Sequence, residues 1–102
     1  MKQYKRDTAL TGILLIMILS SFALYHTEQD GKRLYERNCA PCHGDNGTKA
    51  AFGAKNLQVS ILNDSALLVQ IRNGKRIMPA FRKRFSQQEI TAVMQYVKLL
   101  RK

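Results

Sequence analysis

The sequence predicts an all-α fold of three to four helices, preceded by an N-terminal apolar helix. Three observations carry this. The last segment repeats apolar residues at helical spacing behind a capping signal, no stretch of useful length alternates apolar and polar residues as a strand does, and residues 39–43 read Cys-Ala-Pro-Cys-His. The periodicity sets the fold class, and the spacing of two cysteines with a directly following histidine is that of c-type haem attachment.

The N-terminal element comes first. Residues 8–27, TALTGILLIMILSSFALYHT, contain no Lys, Arg, Asp or Glu. At about 1.5 Å per residue such a helix is roughly 30 Å long, the thickness of a bilayer's hydrocarbon layer. Lys2, Lys5 and Arg6 stand ahead of it against the single Asp7, which is the flank of a secretory signal or of a membrane anchor. Both readings export the rest of the chain. Ser21-Phe22-Ala23 offers a small-x-small cleavage site, but the apolar run exceeds the usual signal core of about 7–15 residues, and retention as an anchor is favoured. No cysteine lies near residue 23 to carry a lipid. Residues 1–27 are therefore assigned to a signal peptide or signal anchor and 28–102 to a single haem domain, placed on the periplasmic side of a bacterial inner membrane or, after cleavage, free in the periplasm.

Within 28–102, fourteen of the seventeen Lys and Arg face six of the seven Asp and Glu, a balance of +8. A domain this short buries only about 60% of its unfolded surface and calls for a cofactor or another staple. His26–Asp30 reads as a short polar linker. Asp30 is a candidate cap for a helix bearing Leu34 and Tyr35 and ending near Asn38. Residues 44–63, with Gly44, Gly47, Gly53 and several Asn and Asp, read as loop. Asp64 or Ser65 is expected to cap a short helix through Leu67, Leu68 and Ile71, stopped by Asn73-Gly74. Ser86-Gln87-Gln88-Glu89 is a capping box leading Ile90, Val93, Met94, Val97 and Leu100 on one helical stripe. Pro79 keeps the intervening segment extended around Met78.

Other chemistries for Cys39, Cys42 and His43 fit less well. Structural zinc wants four ligands, and no second cysteine or histidine cluster exists. A thioredoxin-type dithiol belongs beside a βαβ unit, for which there is no strand. A disulfide between Cys39 and Cys42 would close a very small loop and leave His43 without a purpose. Haem attachment uses all three: the two thiols add to the porphyrin vinyl groups and His43 presents its imidazole to the iron.

With these motifs in place the chain resembles the class I c-type cytochromes, in particular small bacterial monohaem ones, over about residues 30–102. The resemblance is carried by Gly31-Lys32-Arg33-Leu34-Tyr35, by Cys39-Ala40-Pro41-Cys42-His43-Gly44, by Asn73-Gly74 through Met78-Pro79-Ala80-Phe81, and by Val93 and Tyr96 on the last helix. It implies that Gly31 and Tyr35 pack against Val93 and Tyr96. It also implies that Met78, thirty-five residues after His43, is the second axial ligand, and that the proximal imidazole bonds a backbone carbonyl in the following loop. Relatives often have a proline there. This chain has Lys55-Asn56-Leu57 instead.

Of the other methionines, Met17 lies in the apolar run and Met94 on the core stripe of the last helix; His26 belongs to the polar stretch. His/Met ligation closes the iron and suits one-electron transfer between redox partners, so an electron carrier and not an enzyme is expected. Open alternatives are a five-coordinate haem sensor or peroxidase-like protein, and a fixed haem subunit of an oxidase or reductase. Arg72, Lys75, Arg76, Arg82, Lys83 and Arg84 flank Met78, either as a plain solvated loop or as a docking surface for an acidic redox partner. A pI of about 10.1 also permits nucleic-acid binding, but no groove-entering or stacking motif accompanies the charge, and none is expected.

Overall fold

The computed structural model describes the backbone of residues 2–102 and the side chains of residues 7–23 and 26–102. The basic flank Lys2, Lys5 and Arg6 lies outside the side chains described. Four helices follow one another: α1 (Lys2–Asn38), α2 (Ala40–His43), α3 (Asp64–Asn73) and α4 (Gln87–Leu99), with short 3-10 turns at Ala51–Gly53 and Leu57–Val59. Among the described residues the one strand-like feature is an isolated bridge between Lys75 and Met78.

α1 corrects the expectation of a separate apolar helix, a linker over His26–Asp30 and a cap at Asp30. A single helix runs through all of it. Polarity alone does not stop a helix: from Ile13 to Asp30 there is neither Gly nor Pro, and a break would strand backbone donors and acceptors on both sides of it. Asp30 pairs instead with Arg33 one turn on, at 2.9 Å. In the apolar portion Leu10, Ile13, Leu14, Ile16, Ile18 and Phe22 are all exposed. Its hydroxyls bond back into the helix, Ser20 to the Ile16 carbonyl at 2.9 Å and Ser21 to that of Met17 at 3.0 Å, so they place no unpaired polar group on the surface. This portion is long and apolar enough to cross a membrane by length and composition.

The distal portion of α1 belongs to the domain. Gly31 is buried where a Cβ would run into the Ala92 carbonyl of α4, a contact that only glycine permits. Tyr35 is fully buried, its ring 5.2 Å from that of Tyr96. The helix pairing implied by Gly31, Tyr35, Val93 and Tyr96 is thus present, with Ala92 as the residue nearest the glycine.

α4 is capped as its sequence predicts. The Ser86 hydroxyl accepts the Glu89 N–H at 3.1 Å and the Glu89 carboxylate accepts the Ser86 N–H at 2.8 Å. It buries Ile90, Ala92, Val93, Met94 and Val97. Met94 is therefore core. For α3 the cap is Asn63, which accepts the Ala66 N–H at 2.9 Å, and neither Asp64 nor Ser65. Asn63 lies one residue before the helix with extended backbone, the geometry a cap requires. Asp64 instead sits in the first turn, where it holds Lys98 of α4 at 2.9 Å. Tyr35, Leu67, Ile71, Phe81, Ile90, Val93 and Val97 form one core, each large side chain contributing roughly 1.5–3 kcal/mol of burial.

Candidate functional site

Cys39, Cys42 and His43 sit at the elbow where α1 passes into α2. Cys39 is the residue before α2, and Pro41 occupies its first turn, where a missing N–H breaks no helical bond. The His43 N–H bonds the Cys39 carbonyl at 2.9 Å. One turn thus carries all three side chains. The two cysteines are not bonded to each other, and Cys39 is partly buried.

The loop behind α2 turns back on it. Gly44, at φ 81°, leaves the helix, and a Cβ there would meet that of Lys49 at 2.8 Å. Its carbonyl accepts the Tyr35 hydroxyl at 2.7 Å, which ties the haem-type motif to the core. The Lys49 N–H bonds the His43 carbonyl at 2.8 Å and the Leu57 N–H bonds that of Gly47 at 2.8 Å. Between these ties Ala50 and Phe52 take left-handed φ of 40° and 54°, a conformation held against its own preference by the bonds on either side.

The outcome is a contact of 3.0 Å between His43 Nδ1 and the Lys55 carbonyl. A carbonyl can only accept, so Nδ1 carries the proton and Nε2 is left with its lone pair. The proline common among relatives at this place is not needed, because the geometry comes from the ladder of loop bonds. Sequence reasoning located the Lys55-Asn56-Leu57 segment but not which carbonyl acts; no signal in the residue type could have, since the group is backbone.

Met78 stands on a different loop. Lys75 and Met78 exchange backbone bonds of 3.1 and 3.0 Å around Arg76, whose φ is 54°. The strand of chain that follows is fastened to α3 by Phe81 N–H to Ile71 carbonyl at 3.1 Å and Arg82 N–H to Arg72 carbonyl at 3.2 Å. Gly74 makes the tight return possible, since a Cβ there would strike the Met78 carbonyl. The Met78 sulfur accepts a hydrogen bond from the Gln70 amide at 3.7 Å, a partner in the last turn of α3 that nothing in the sequence singled out.

Cys39 and Met78 both pack from the rim against the same core cluster. Phe52, Ile61 and Ile77 expose 78%, 96% and 70% of their surface. Two cysteines, an imidazole whose Nε2 is left with its lone pair, a thioether sulfur and exposed apolar side chains suit a large apolar macrocycle with an iron that wants N and S donors. No group of three or more Cys, His, Asp or Glu gathers among the described residues, so the zinc alternative has no site there.

Arg72, Lys75, Arg76, Arg82, Lys83 and Arg84 are all exposed. No acidic residue stands between Asp64 and Glu89, and among the described residues none of the six is in an ion pair. Arg84 is partly fixed, bonded to Asn38 at 3.2 Å and lying over the Phe81 ring at 5.2 Å.

Residues 26–97 match the family model described as cytochrome c oxidase, cbb3-type, subunit III. Cytochrome c6 of a Synechococcus strain is 34% identical over 103 residues, covering 95% of this chain and 91% of that protein. Cytochrome c6 of a Nostoc strain is 34% identical over 94 residues, covering 86% and 85%. Cytochrome c6 of Leptolyngbya boryana is 37% identical over 73 residues, covering 66% and 85%.

Proposed function

The chain belongs to the small monohaem class I c-type cytochromes, electron carriers with one covalent haem c, and from that premise we propose the following site and setting. Cys39 and Cys42 would hold the haem covalently, each through a thioether to a vinyl carbon of the porphyrin. His43 through Nε2 and Met78 through its sulfur would hold the iron. When bound, the haem supplies a one-electron iron couple. The chain holds both ligands still between oxidation states: the Lys55 carbonyl fixes the imidazole, and the clamped turn at Lys75–Met78 fixes the sulfur. With the imidazole and the thioether both holding the iron, no place would be left for a substrate, and the transfer would be outer-sphere.

The observation that carries this reading is the bond from His43 Nδ1 to Lys55. It supports Nε2 as the nitrogen left for a ligand role, on the same turn as both cysteines. The reading is tested by Met78→Ala. The wild-type reduced protein is expected to refuse carbon monoxide and the variant to bind it, with a lowered midpoint potential. Carbon monoxide binding by the wild type would mean a five-coordinate iron and an open-site protein.

The domain is anchored by residues 1–27 with residues 28–102 on the periplasmic face. Support comes from the apolar run, the exposure of its described side chains and the basic residues ahead of it. The six basic side chains around Met78 are a landing surface for an acidic redox protein, which raises the encounter rate in a salt-sensitive way. The match to a family model for an oxidase subunit favours a second reading, a permanent place in a membrane complex. Co-purification of stoichiometric partner subunits in mild detergent would select it over a mobile carrier.

A further inference from the structure

The polar stretch at residues 26–30 does not interrupt α1, and contacts cross the junction. The Thr27 hydroxyl donates to the Ala23 carbonyl at 3.0 Å, and the Phe22 and His26 rings meet edge to face at 5.3 Å. No glycine or proline occurs from Ile13 to Asp30. Sharp helix kinks need such a residue or an inserted group, and without one a helix bends only gently. Beyond the junction the same helix is locked into the domain, by Gly31 against the Ala92 carbonyl and by the buried Tyr35 against Tyr96.

We propose that the membrane span and the haem domain are one rigid body, so that the domain stands at a fixed orientation to the bilayer and does not swing on a tether. The proposal rests on α1 being retained as an anchor. A flexible strand would let the domain sweep a hemisphere; a continuous helix fixes both the height and the facing of the Met78 loop. A partner must then meet that loop where α1 places it.

The far end of α4 adds a second point of support. Leu99, 61% exposed, lines a cleft with Thr27, Glu28, Gln95 and Tyr96. Thr27 is five residues past Phe22, about 7.5 Å along the helix. Leu99 therefore stands near the level of the lipid headgroups, followed directly by Leu100, Arg101 and Lys102. Arg101 is turned inward, bonded to the Leu62 carbonyl at 2.6 Å, but an exposed apolar side chain with the exposed Lys102 three residues on suits an anionic interface and would resist tilting of α1.

The test uses the full haem-loaded chain in oriented bilayers of mixed zwitterionic and anionic lipid. The angular dependence of the haem electron paramagnetic resonance signal is recorded, with the intact mass taken from the same sample. A strong dependence on the angle between field and membrane is expected, and it should be lost when Gly-Gly-Ser-Gly-Gly is inserted between Glu28 and Gln29, with the optical spectrum unchanged. An intact wild-type chain giving no angular dependence would overturn the proposal, as would an insertion variant that keeps it. A mass lacking the first twenty or so residues would instead remove the anchor reading, and the rigid mount with it.

Discussion

His43 reaches its place through backbone groups, and the residue scale is where that matters most. Its Nδ1 partner is the carbonyl of Lys55, so Lys55→Ala should leave haem attachment and spectrum intact, whereas His43→Ala should lose the normal low-spin spectrum. Tyr35, beyond the apolar run and inside the domain core, gives a pH prediction. Burial first, then the nearby Cys39, Tyr96 and Asp45, hold its phenol well above the ordinary value near 10. The folded state keeps the proton longer than the unfolded chain. Its contribution to stability is thus complete below pH 10 and declines as pH rises beyond it. Denaturant titration of Tyr35→Phe should show a loss of about 0.5–1.5 kcal/mol at neutral pH, for the bond to Gly44, and a shallower decline above pH 10. A decline as steep as that of the wild type would place the alkaline titration elsewhere. At this scale Cys39, Cys42 and His43 stand out as candidates in the sequence by their types and spacing, and Met78 only through the family resemblance. Lys55 and Gln70 were not legible, since one acts through its backbone and the other through a meeting of distant turns.

Among the elements, α1 and α4 hold the domain together, and Gly31 is their closest point. Gly31→Ala places a methyl group against the Ala92 carbonyl, which should cost about 1–3 kcal/mol by overpacking, measurable as a lower denaturation midpoint of the haem protein. A variant as stable as wild type would show that the helices do not approach so closely in solution. Ser86→Ala should cost about 0.5–2 kcal/mol through the lost cap. The capping box at Ser86 and the apolar stripe behind it could be read from sequence because both are local patterns. The continuity of α1 could not, because residues 26–30 are polar without being helix breakers, and composition does not distinguish a linker from a solvated turn of helix. The cap of α3 was misplaced for a related reason: Asn63, Asp64 and Ser65 are all good cap residues in succession, and tertiary placement of Asp64 beside Lys98 decides among them.

For the whole molecule, charge and topology act together. The six basic residues about the Met78 loop stand in a stretch without acids, so the second-order rate of reduction by an acidic redox protein should fall steeply with ionic strength. Replacing Arg72, Lys75 and Lys83 together by Gln should reduce both the rate at low salt and its salt dependence. An unaltered salt slope would move the docking surface elsewhere. Removal of residues 1–27 behind a cleavable signal should release a soluble haem domain, because among the described residues the core from Tyr35 to Val97 takes no buried side chain from that segment.

All of this depends on a haem joined to one short turn of chain. The most direct measurement is tandem mass spectrometry of the tryptic peptide Asn38–Lys49 from purified, denatured protein. The peptide should carry one haem, with fragmentation placing a thioether on each of Cys39 and Cys42. Recovery of that peptide with both sulfurs as free thiols or as a disulfide would contradict the account.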